Sequence, residues 1–69
     1  MKQEEIRCTI NTSLSLASVM NIELHMLSCR DIYEKTKTRC PELTLDDVIE
    51  YGRQYYEIVN LNDSYLIKL

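Results

Sequence analysis

His25 is the only histidine in the chain, and Cys8, Cys29 and Cys40 are its three thiols. These four side chains are the natural starting material for metal binding or nucleophilic catalysis. His25 and Cys29 lie four residues apart, so a helix spanning both would put them on one face at a spacing metals use. A zinc site needs four ligands, however, and neither Cys8 nor Cys40 has a Cys or His neighbour to complete the set. A Cys–His hydrolase would further need a shaped cleft and an oxyanion hole, and one glycine in 69 residues offers little backbone to build them. The chain contains no Gly-rich phosphate loop and no Gly-x-Ser-x-Gly elbow. The acidic pair Asp46-Asp47 is explained by the positive end of a helix dipole, which favours carboxylates in the first turn. The expectation is a protein with no catalytic residue, no metal and no cofactor.

Residues suited to surface contact are better represented. Tyr33, Tyr51, Tyr55, Tyr56 and Tyr65 are five tyrosines in a chain without Phe or Trp. Each hydroxyl needs a partner, which places tyrosine at a core margin or in an interface. Tyr51 and Tyr55 are one helical turn apart, and the neighbours Tyr55 and Tyr56 cannot both face a core. The expected docking surface is therefore Asp46, Asp47, Glu50, Arg53 and Gln54, with a tyrosine from Tyr51, Tyr55 or Tyr56 as its anchor. Charge would steer the encounter and the aromatic would supply binding energy. A competing surface is suited to nucleic acid. Arg7, Thr9 and Asn11, alternating on a strand, are types that read base edges, and Lys35, Lys37 and Arg39 could meet phosphates. Opposing it, Asp46, Asp47 and Glu50 put negative charge on the helix that would enter the groove, and the net charge is −3.

The whole chain sets bounds on both readings. Sixty-nine residues make one domain, 1–69, and 45% apolar with 28% charged residues is ordinary globular composition. The longest apolar run is Tyr65-Leu66-Ile67, which excludes a helical membrane span. Met1-Lys2-Gln3-Glu4-Glu5 has no apolar stretch behind it, unlike a secretory signal. An odd, irregularly spaced cysteine set argues for reduced thiols and a cytoplasmic protein, with Cys8 in the core.

The elements that must position these groups follow from periodicity. Between residues 6 and 26, Ile6, Cys8, Ile10, Leu14, Leu16, Met20, Ile22, Leu24 and Met26 share one parity. Alternation of this kind predicts half-buried strands, one at about 4–11 and one near 21–27, with 13–20 open between strand, helix and loop. A rival reading makes 13–28 helical, on the stripe Leu16, Val19, Met20, Leu24 and Leu27. Ser28 with Asp31 and Thr44 with Asp47 are capping pairs that begin helices at about 29–38 and 45–57. The first buries Cys29, Ile32, Tyr33 and Thr36, and Asp31 pairs with Lys35 along it. The second buries Leu45, Val48, Ile49, Gly52, Tyr55 or Tyr56, and Val59. Asn62-Asp63 suits a two-residue type I′ turn, which would pair Leu61 with Ser64, Val59 with Leu66, Ile58 with Ile67 and Glu57 with Lys68.

The predicted class is α+β: a small domain with an N-terminal β-rich segment, two capped helices and a C-terminal β-hairpin. The alternative is winged-helix-like or mostly α. The order of a short strand, two capped helices and a terminal ribbon resembles that of a winged helix-turn-helix domain in topology, without a diagnostic motif. The function expected is a small protein-interaction module, a regulator or inhibitor docking on a larger protein, of the kind compact viral or mobile-element genes encode. A DNA-binding transcription regulator and a structural subunit of a larger assembly are the alternatives. Another protein is the expected partner, a homodimer is allowed, and nucleic acid enters only with the DNA-binding reading.

Overall fold

The computed structural model describes residues 2–69, in the order α1 (Lys2–Val19), β1 (Met26–Ser28), α2 (Cys29–Lys37), α3 (Leu45–Tyr55), β2 (Glu57–Leu61) and β3 (Ser64–Lys68). The class is α+β, with three helices against a three-stranded antiparallel sheet ordered β1-β3-β2.

The N-terminal β-rich segment is overturned: residues 2–19 form one helix and no strand occupies 4–11. The misleading parity has a simple cause, since a spacing of four satisfies both a period of two and a period of 3.6. Ile6 and Ile10 are buried and Leu14 is partly so, one above another on the inner face. The even positions between them, Cys8 and Thr12, are exposed, as is Leu16 beyond them. Cys8 is thus a surface thiol, not a core residue. The inner face is completed by Thr9 and Ser13, which look polar in sequence but donate their hydroxyls to the carbonyls of Glu5 at 3.1 Å and Thr9 at 3.0 Å.

The helical alternative over 13–28 is also cut short, by Asn21. This residue adopts a left-handed conformation at φ 57°, while Asn21 N–H donates to Ser18 O and Ile22 N–H to Ala17 O. That pair of bonds is a Schellman cap, with asparagine where glycine more often sits. The strand foreseen near 21–27 is reduced to Met26–Ser28.

The C-terminal half follows the sequence closely. The Ser28 side chain caps α2 by accepting from Asp31 N–H, and Thr44 with Asp47 forms a reciprocal capping box on α3. Helix α3 ends at Tyr55, two residues before the expected boundary, because Glu57 and Ile58 join the ladder with β3. The hairpin register is the one anticipated at all four pairs. Asn62 and Asp63 have φ of 51° and 63°, the positive values a type I′ turn requires.

One core joins the elements. Ile6 and Ile10 meet Cys29 and Ile32 from α2, Val48, Ile49 and Tyr51 from α3, and Ile67 from β3. Tyr51 takes the inner place foreseen for Tyr55 or Tyr56. Gly52 lets α3 sit on the hairpin, since a Cβ there would overlap Ile58 Cδ1 and stand 3.1 Å from Ile67 Cγ1.

Candidate functional site

The α2–α3 junction is held to α1 by a polar knot. Thr36, fully buried, donates its hydroxyl to Thr9 Oγ1 at 2.7 Å, and Arg39 Nη2 donates to the same oxygen at 2.7 Å. Arg39 also reaches Glu5, through Nε to Oε1 at 3.4 Å and Nη2 to the main-chain oxygen at 3.3 Å. Thr9 Oγ1 therefore gives one hydrogen bond and accepts two, so its capacity is filled. This knot orients helices and leaves no reactive atom free.

The knot also removes two members of the nucleic-acid set. Thr9 is buried and Arg39 is committed to Glu5. Arg7, Thr9 and Asn11 do not form a strand face, because α1 turns each second residue by about 200°. Arg7 and Asn11 instead share the outer side of α1 with Glu4 and Glu5. Arg7 stands 3.9 Å from Glu4, and Lys37 lies over the Tyr33 ring at 5.4 Å. The six residues are spread across α1, α2 and the turn after it.

The residues of the expected docking surface all belong to α3 and its C-cap, and two of them have other roles. Asp46, Glu50, Arg53, Gln54, Tyr55 and Tyr56 are exposed on α3 and its C-cap. Tyr51 belongs to the core. Asp47 has structural duties: it accepts from Thr44 N–H at 2.9 Å and meets Lys2 Nζ at 3.3 Å. The Thr44 backbone hydrogen bond holds its carboxyl below the usual carboxylate range, with the Thr44 hydroxyl and Lys2 adding to the effect. Arg53 stands 3.9 Å from Glu50, so its charge is locally offset.

Where α3 passes the start of α1, Gln3, Glu4, Arg7, Tyr51 and Tyr55 line an open notch of about 350 Å³. The Tyr51 and Tyr55 rings lie 4.7 Å apart, tilted by 42°, which favours edge attraction between the two π-systems. Burial raises the Tyr51 hydroxyl pKa, Tyr56 raises it further, and Arg7 pulls it back. Tyr55 is 53% exposed and forms the outer wall of the notch.

His25 and the thiols are not brought together. His25 is exposed on the segment before β1, whereas Cys29 and Cys40 are buried. Burial pushes both thiols up, and Glu42 adds to the rise at Cys40. Among the described residues no group of three His, Cys, Asp or Glu side chains could share a metal ion, and no helix is long and apolar enough to cross a membrane.

A second surface was missed in the sequence. Leu16, Met20, Ile22, Leu24 and Leu27 line an apolar groove of about 240 Å³ between the end of α1 and α2. Both readings of this stretch, the even-numbered alternation through Ile22 and Leu24 and the helical stripe through Leu16, Met20, Leu24 and Leu27, turn these side chains toward a core. Neither foresees a helix stopped by Asn21 that leaves Leu16, Met20 and Ile22 exposed. The stop signal, an asparagine after an apolar stretch, was available in the sequence. No family model, no curated protein and no solved structure matches the chain.

Proposed function

We propose that the protein is a non-enzymatic docking module that binds a larger protein through α3 and the tyrosine notch. The observation carrying this reading is Tyr55, a half-exposed aromatic braced by Tyr51 on the outer wall of a notch it shares with Gln3, Glu4 and Arg7. An anchor ring held by a neighbour loses little freedom on binding, which is what makes aromatic anchors effective. Asp46 and Glu50, exposed farther along the same helix, favour a partner with a basic surface. Regulation or inhibition by covering that surface is the activity such a module would have, and a cytoplasmic setting suits its three free cysteines.

The test is affinity capture from extract of the native host, with wild-type protein and a Tyr55→Ala/Glu50→Lys variant side by side. The expected outcome is a captured protein that the variant loses while its circular dichroism stays unchanged. Equal capture by both would remove this face from consideration.

The order of elements and the β1-β3-β2 pairing favour a second reading, DNA binding with β2 and β3 as a wing. Electrostatics oppose it. Helix α3 presents Asp46 and Glu50, and the hairpin tip carries Asp63.

A further inference from the structure

The groove between α1 and α2 has features that the α3 surface does not explain. Leu16 and Met20 are each 59% exposed, Ile22 is 49% exposed, and Val19, flanking them on the last turn of α1, is 82% exposed. A contiguous apolar patch on a protein surface is often a contact site. The rim is charged in a particular way. Asp31 and Lys35 border the groove one helical turn apart on α2, at a spacing suited to mutual pairing. The ion pair expected between them is not formed, and among the described residues neither joins any other ion pair.

We propose that this face is a two-fold interface with a second copy of the same chain. A two-fold contact requires one patch to carry both halves of its own complement. This patch does: the last turn of α1 is an apolar ridge, and the space beside it, floored by Leu24 and Leu27, is an apolar groove. The rim is self-complementary too, with one acid and one base. When two α2 helices cross antiparallel, Asp31 of each copy faces Lys35 of the other, and symmetry makes the pair twice. A stable interface needs roughly 800 Å² from each partner. The exposed aliphatic side chains supply its dry centre, and Ser13, Asp31 and Lys35 its polar edge. The face is separate from the Tyr55 notch, so this proposal stands or falls independently of the docking reading.

Sedimentation equilibrium of the untagged protein tests it. The expected mass is twice 8.2 kDa at about 100 μM. Met20→Asp alters an exposed position and should give a monomer with unchanged circular dichroism. Lys35→Asp and Asp31→Lys should each raise the dimer dissociation constant by about tenfold or more, because each breaks both symmetric pairs. The double variant Asp31→Lys/Lys35→Asp should recover most of that loss, a reciprocal rescue that general surface charge would not produce. A wild-type mass of 8.2 kDa at that concentration would overturn the proposal and leave the groove for a different partner. A dimer that survives Met20→Asp, or a charge swap without rescue, would overturn it as well.

Discussion

At the scale of single residues, the most informative side chains are the ones that look unremarkable in the sequence. Thr9 reads as an ordinary polar position and Thr36 as one member of a buried helical face, yet the two are buried together and hydrogen-bonded to each other. Their energetics follow from which group is left without a partner. Thr36→Val removes one donor, but Thr9 Oγ1 keeps its bond from Arg39 and its own bond to Glu5. The expected cost is about 1 kcal/mol. Thr9→Val removes the acceptor that serves both Thr36 and Arg39, stranding a buried hydroxyl, and should cost roughly 2–3 kcal/mol. With both threonines replaced by valine no hydroxyl is stranded, so the double variant should lose less than the sum of the singles. Urea unfolding of the four proteins measures this; strict additivity would mean the knot contributes no coupling.

At the scale of elements, legibility tracked how local the determinants were. Both capping pairs and the hairpin register were readable because each depends on residues within a few positions of one another. The class and the two C-terminal helices followed. Helix α1 was misread because its inner face is built from Ile6, Thr9, Ile10, Ser13 and Leu14, and the two hydroxyls count as polar until their carbonyl partners are known. The same error puts Arg7, Thr9 and Asn11 on one strand face, which the helix does not have, and conceals the apolar groove. The buried and exposed positions of α3 are legible except that Tyr51 takes the core place expected for Tyr55 or Tyr56, which needs the hairpin's position to resolve. The turn offers a test at this scale. Asp63 holds φ 63°, a conformation that costs a side-chain-bearing residue energy and glycine almost none. Asp63→Gly gives the preferred Asn-Gly pair and should stabilise the protein by about 0.5 kcal/mol, whereas Asp63→Ala should destabilise it by about 1 kcal/mol. Denaturant midpoints at constant m-value decide it, and equal midpoints for the two variants would contradict the left-handed turn.

At the scale of the whole molecule, the use made of the cations separates the two functional readings. The chain has eight Lys and Arg residues. Lys2, Arg7, Arg39 and Arg53 each stand within ion-pair distance of a carboxylate, and Lys37 lies over Tyr33. Among the described residues Arg30, Lys35 and Lys68 are left, and they sit on α2 and β3 rather than on α3. Nucleic-acid affinity grows with the phosphates a protein can neutralise, and the logarithm of that affinity falls with the logarithm of salt in proportion to their number. With about three cations, dispersed, the slope should be no steeper than roughly −3 and the affinity for random duplex weak even near 50 mM salt. Fluorescence anisotropy with a labelled random duplex should therefore show little or no binding across the salt series. A slope steeper than about −5 would require phosphate contacts beyond the unengaged cations, so the ion pairs of α1 and α3 would have to open on DNA. That result would transfer α3 from a protein-docking surface to a groove-reading helix.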